Sequence, residues 1–103
     1  MKLSIKQAFQ KGVEAHTAGR MREAERFYEA VLKAKPQHSD ANHNMGVLAV
    51  NVYNVERALP FFRAAIDAKP DIAEYWLSYI KALIKLDRSN DAKIILDKAK
   101  SHG

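Results

Sequence analysis

The sequence contains no cysteine, and its 103 residues include only four glycines, three prolines and one tryptophan. The absence of cysteine excludes disulfide bonds and thiolate metal sites. No apolar run approaches the roughly 20 residues that a membrane-spanning helix needs. The first residues, 1–6, become charged too early for a secretory signal peptide. We therefore expect a cytoplasmic protein.

The chain is basic, with a formal net charge of +5, and 48% of its residues are hydrophobic. It is long enough for one small domain, which we place at residues 1–103. Its basic residues alternate with acidic ones, as in residues 23–26 and 97–100, and this pattern is typical of solvated helix faces. We do not expect nucleic-acid binding or membrane binding from the charge alone.

The apolar residues recur at spacings of three and four, which predicts amphipathic helices, and strand signals are absent. Glycine, proline and asparagine interrupt the pattern at regular intervals. The predicted helices are 5–18, 22–34, 40–52, 55–68, 73–86 and 90–101. The connections are short, so neighbouring helices must pack antiparallel. Pro60 falls inside the fourth helix, where we expect a mild bend and no break.

Polar residues before four of these helices predict their amino-terminal caps. Ser4 with Gln7 fits a capping box, in which each side chain accepts a hydrogen bond from the other residue's backbone amide. Ser39, Asn54 and Ser89 are the predicted caps of the third, fourth and sixth helices.

The chain matches itself when it is shifted by 34 residues. The matching positions are Gly12 with Gly46, Pro36 with Pro70, Ala24 with Ala58 and Ala92, and Tyr28 with Phe62 and Leu96. A fixed period of this length indicates stacked units that share one core.

These positions resemble the tetratricopeptide repeat (TPR), with units at 5–38, 39–72 and 73–103. The family has a small residue at the eighth position of each unit. Gly12 and Gly46 match it in the first two units, and Ile80 departs from it in the third. Trp76 is the one tryptophan at the fourth position. The resemblance implies an all-α, right-handed solenoid of six antiparallel helices. It also implies a non-enzymatic scaffold for protein–protein interaction.

In this family the first helix of each unit lines a concave groove that binds peptides. We call the following residues the groove set: Phe9, Gln10, Val13, His16, Thr17, His43, Asn44, Val47, Val50, Asn51, Leu77, Ser78, Lys81, Ile84 and Lys85. Lys6, Asp40 and Glu74 occupy the remaining groove positions. The apolar members of the groove set should anchor a partner segment, because we do not expect them to pack in the core. Gln10, Asn44 and Ser78 should bond a peptide backbone, and Lys81 and Lys85 should favour an acidic end.

Two binding modes known in the family fit poorly. The clamp for a carboxyl-terminal chaperone tail uses lysines, an arginine and asparagines at five positions, of which only Asn44 matches; Glu74 would repel the tail. A ladder of asparagines at the sixth position would be partial, because Gln10 and Ser78 flank Asn44.

The ends of the array depart from the family pattern. Lys11, Lys100 and His102 replace apolar residues, which suggests that the array stops after three units. Ile94 or Leu96 should then remain partly exposed. Such a face invites a homodimer or the docking of another segment.

Catalytic and metal-binding motifs are not recognisable in the sequence. It has no His-Glu-x-x-His pair and no glycine-rich phosphate loop, so we predict no enzyme activity, no metal and no cofactor. An alternative stays open. Residues 75–86 resemble the last repeat of bacterial arrays that precede glycosyltransferase-like or sulfotransferase-like domains. The chain would then be the amino-terminal recruitment or dimerisation module of a larger enzyme.

Overall fold

A computed structural model describes residues 2–102, which form an elongated body of 47 × 25 × 19 Å. All of the regular secondary structure in residues 2–102 is helical. The helices are α1 (Ile5–Thr17), α2 (Met21–Ala34), α3 (Ser39–Val52), α4 (Val55–Ala68), α5 (Ala73–Lys85) and α6 (Ser89–Ser101). Each predicted boundary lies within one residue of the observed one. α4 continues through Pro60, so the prediction that proline does not break it is confirmed.

The helices pack in the order of the chain. α1 packs on α2, α3 on α4 and α5 on α6, and each pair packs on the next through α2 with α3 and α4 with α5. α3 and α5, the first helices of the second and third pairs, also touch. Stacked helix pairs of this kind form a solenoid, in which each unit contacts only its neighbours.

The first two pairs cross closely because a glycine faces an aromatic ring. A Cβ atom at Gly12 would lie 2.6 Å from Cε1 of Tyr28, and one at Gly46 would overlap the ring of Phe62. Both rings are almost fully buried. The 34-residue match of glycine with glycine and ring with ring therefore has a steric cause.

The third pair lacks this arrangement. Ile80 stands at the position of the two glycines, and Leu96 stands at the position of the two rings. Leu96 is 42% exposed and Ile94 is 54% exposed, which confirms the prediction that α6 leaves apolar surface uncovered.

Two of the four predicted caps are confirmed. Ser4 Oγ accepts from the amide of Gln7 at 3.0 Å, and Gln7 Oε1 accepts from the amide of Ser4 at 2.9 Å, which completes the capping box. Asn54 Oδ1 accepts from the amide of Arg57 at 2.9 Å. These bonds satisfy amides that have no partner within the helix.

The predictions for Ser39 and Ser89 are wrong. His38 caps α3, because its Nδ1 accepts from the amide of Ala41 at 3.0 Å, and Ser39 is a buried residue of the first turn. Arg88 occupies the capping position of α6 without a side-chain bond to the backbone. Its Nε instead donates to Asp91 at 2.8 Å.

Candidate binding groove

A recess between α3 and α5, with a volume of about 170 Å³, is lined largely by members of the groove set. Its lining residues are Val47, Val50, Asn51, Phe62, Ser78, Lys81, Ala82 and Lys85. All but Phe62 and Ala82 belong to the groove set. Those two were missed because they occupy positions that pack the core. The signal for them in the sequence was a small residue, Ala82, packed with a large ring, that of Phe62. An alanine leaves open space beside such a ring.

The apolar residues of the groove set divide into two groups. Phe9, Val13, Val47 and Val50 are half-buried and pack on clusters of the core, so the expectation that they have no core to fill is wrong. Their inner sides touch Tyr28, Phe62 and other buried residues of the pairs. Leu77 and Ile84, in contrast, are 51% and 58% exposed on α5.

His43, a member of the groove set, is buried between the second and third units. Its Nε2 lies 2.8 Å from Ser78 Oγ, and its ring centroid lies 5.6 Å from that of Phe62 and 5.0 Å from that of Tyr75. Tyr75 donates its hydroxyl hydrogen to Asp40. Burial and this bond raise the pKa of Tyr75 to about 12. These two bonds join α3 to α5.

Tyr28 organises the polar residues between the first and second units. Its hydroxyl lies 3.1 Å from His16 Nδ1, and Asn44 Nδ2 donates to it at 3.4 Å. Burial lowers the pKa of His16, which favours the neutral ring. With Asn44 as the donor, the Tyr28 hydroxyl is free to donate to a neutral His16.

The predicted polar row therefore divides as well. Asn44 uses an amide hydrogen on Tyr28, and the Ser78 hydroxyl bonds His43. Gln10 and Thr17 are exposed on α1, at the other end of the array from Lys81 and Lys85. The groove-set residues that line the recess all belong to α3 and α5.

The charge at the recess is of one sign. Lys81 and Lys85 are exposed and line it, and no carboxylate is among its lining residues. The ion pairs formed within residues 2–102 are Arg20 with Glu23 and Arg88 with Asp91, so neither lysine is paired there.

Neither a metal-ligand cluster nor a helix that could span a membrane occurs in the part of the chain that the structure describes. No three His, Asp or Glu side chains of residues 2–102 are grouped so that they could hold a metal ion. Among the same residues, no helix is both long enough and apolar enough to span a bilayer.

The comparisons with known proteins address the fold. The tetratricopeptide repeat family model matches residues 8–38, which lie within the first predicted unit, 5–38. A structure of the TPR2B domain of yeast Sti1 in complex with pHsp70 superimposes with a TM-score of 0.86 over 95% of this chain and 78% of that one, at 19% identity. The chain has the TPR fold.

Other solved structures share this fold. A crystal structure of MamA has a TM-score of 0.89 over 96% of this chain, at 15% identity, and a MamA mutant has 0.82 over 96%, at 18% identity. The chain spans 58% of the first MamA structure and 72% of the second. No curated protein matches the sequence significantly. At these identities the likeness concerns the TPR fold alone.

Proposed function

We propose that this TPR chain is a non-enzymatic scaffold that binds a segment of a partner protein along α1, α3 and α5. The observation that carries the proposal is the exposure of Leu77 and Ile84 on α5, where each is the sequence neighbour of a residue that lines the recess. Exposed aliphatic side chains that adjoin an apolar depression provide anchors for an extended or helical segment. The Sti1 domain, which has the same fold, forms a complex with pHsp70.

The groove-set residues contribute unequally to this proposal. Leu77, Ile84 and the outer sides of Val47 and Val50 would supply the apolar contacts. Gln10 and Thr17 would extend the contact surface along α1. His16 and His43 would act indirectly, because their rings hold neighbouring helices in place through Tyr28 and Ser78. Lys81 and Lys85 would favour a partner with an acidic end.

Variants of exposed residues test the proposal. Val50→Glu is a poor choice because Val50 packs on the core, so it would lower stability as well as binding. We expect Leu77→Glu with Ile84→Glu to abolish partner capture from a lysate of the source cells, read by quantitative mass spectrometry. Ile94→Glu is the matched control, because Ile94 is equally exposed but lies on α6. Helical content should not change in either variant.

The result that contradicts the proposal is equal capture by the double variant and the wild type. Light scattering of the same samples examines the alternative of a recruitment or dimerisation module. The exposed Ile94 and Leu96 favour that alternative, and a dimer that Ile94→Glu dissociates would support it.

A further inference from the structure

We propose that the recess between α3 and α5 is a subsite for an internal acidic motif, with one aliphatic side chain in the recess and flanking carboxylates on Lys81 and Lys85. The inference rests on the proposed function and identifies the chemistry of the partner. It differs from recognition of a chain end, because only side-chain carboxylates are required.

The dimensions of the recess suit one aliphatic side chain. Its volume is about 170 Å³, and an apolar cavity of about 150 Å³ is known to hold a benzene molecule. Val47, Val50, Phe62 and Ala82 provide its apolar lining. Phe62 and Ala82 are 1% and 2% exposed, so this part of the lining is held rigidly by the core.

Neither described end of the chain fills the recess. At one end Ser4 caps α1, and at the other the ring of His102 packs on Trp76 with 5.3 Å between centroids. Neither residue is part of the lining. In the described part of the protein, the apolar surface between α3 and α5 is therefore accessible to another molecule.

The two lysines specify the charge of the occupant. Lys81 and Lys85 are four residues apart on α5, so their Cβ atoms lie about 5–6 Å apart on one face. Like charges at this spacing repel each other, and no acidic residue of the lining offsets them. Carboxylates that flank an aliphatic side chain would remove this repulsion while the aliphatic group is buried.

Asn51 and Ser78 add polar groups to the lining of the recess. Asn51 is exposed and can bond a peptide backbone, whereas the Ser78 hydroxyl is held by His43. Glu74, one helical turn before Ser78, lies outside the lining. Its charge would exclude an acidic segment from the start of α5 and favour its placement toward Lys85.

The test uses amide shifts of the ¹⁵N-labelled chain of residues 1–103 with blocked peptides as probes. The peptides are acetyl-GEELEEG-amide, acetyl-GKKLKKG-amide and acetyl-GEEAEEG-amide, each added to about 1 mM, where a Kd of that order gives half-saturation. The amide group at the carboxyl end removes the terminal carboxylate. We expect the glutamate–leucine peptide to shift amides of Val47, Val50 and Ala82, and the other two to bind at least about tenfold more weakly.

A charge exchange provides the sharper result. Lys81→Glu with Lys85→Glu should reverse the preference, so that the lysine–leucine peptide binds and the glutamate–leucine peptide does not. Lys93→Glu with Lys100→Glu changes the net charge equally on α6 and should leave the preference unchanged. Both lysine pairs are exposed, so neither double variant removes a buried contact.

The outcomes separate this inference from the proposed function. Equal binding of the acidic and basic peptides, or shifts confined to α1, would overturn the subsite. The absence of peptide shifts at about 1 mM would overturn it as well. If partner capture then still depends on Leu77 and Ile84, the scaffold function remains and only the acidic motif is rejected.

Discussion

The absence of a side chain at Gly46 determines how closely α3 and α4 approach. The ring of Phe62 occupies the space that a Cβ atom would need, and this ring is 1% exposed. It therefore cannot move aside into solvent. Gly12 and Tyr28 repeat the arrangement one unit earlier.

Gly46→Ala should lower the free energy of unfolding by about 1–3 kcal/mol, the usual cost of overpacking a core. The sign of this change is informative. Alanine is favoured over glycine in a helix interior by about 1 kcal/mol, so without the steric conflict the substitution should raise the free energy of unfolding. Urea unfolding followed by circular dichroism measures the change. In the double variant Gly46→Ala with Phe62→Leu, the two losses should be less than additive. An increase in stability for Gly46→Ala alone would contradict the steric explanation.

At the scale of the helix, the boundaries could be predicted from the sequence and the caps only in part. Pro36, Pro70 and Gly19 stop helices for reasons of backbone geometry, so their effect is local. Gly19 indeed has a φ of 81° at the end of α1. The cap of α3 is a histidine, whose imidazole nitrogen accepts the amide hydrogen bond that the hydroxyl of the adjacent serine was expected to accept.

The groove could be predicted less completely than the helices, for a physical reason. The repeat pattern identifies which helix face a residue occupies, but not how deeply it lies. His43 is on the predicted face, yet the rings of Phe62 and Tyr75 enclose it. Ile84 is on the same face and remains exposed. How deeply a residue is buried depends on the side chains of the next unit. A repeat pattern describes one position at a time and contains no information about those neighbours.

His38 should make the stability of α3 depend on pH. Its Nδ1 accepts a backbone hydrogen bond only when the ring is neutral. Burial lowers the pKa of His38, Lys35 and Lys69 act in the same direction, and Asp40 opposes them. Because the pKa in the folded state is below the unfolded value of about 6.5, the contribution is complete above that pH. It is lost as the pH falls from 6.5 toward the folded pKa.

His38→Asn tests this assignment, since asparagine caps helices well and does not titrate. We expect a smaller loss of unfolding free energy in the variant than in the wild type between about pH 7.5 and pH 5.5, on either side of the unfolded histidine pKa. His102→Asn is the control for the loss of one imidazole, because the His102 side chain caps no helix amino terminus and its position at the end of α6 is held by a backbone amide. His16, whose pKa burial also lowers, should contribute to the pH dependence that remains. An unchanged slope in His38→Asn would remove His38 as the source.

For the molecule as a whole, the three units differ in how well they are covered. α3 contributes eight buried residues, from both faces of the helix, whereas α6 contributes only Ala92. The second unit has a neighbour on each side. The third has Ile80 where the other units have glycine, and its second helix leaves Ile94 and Leu96 uncovered. Stability in a stacked array is the sum of unit and interface contributions, so this unit should be the weakest.

Hydrogen exchange should therefore report opening of α6 ahead of the rest. We expect amides of α6 to exchange at least about tenfold faster than those of α3, because local openings range from nearly zero free energy to the global value. α1 provides an internal comparison, because it is the other terminal helix of the described array. Unlike α6, it buries three residues, Ala8, Gly12 and Ala15. Its protection should lie between the two. Equal protection of α3 and α6 would mean that the array opens as one unit, and the exposed face of α6 would then have no energetic consequence. Faster exchange confined to α6 would instead show that the recess, built on α3 and α5, stays intact while the last helix opens.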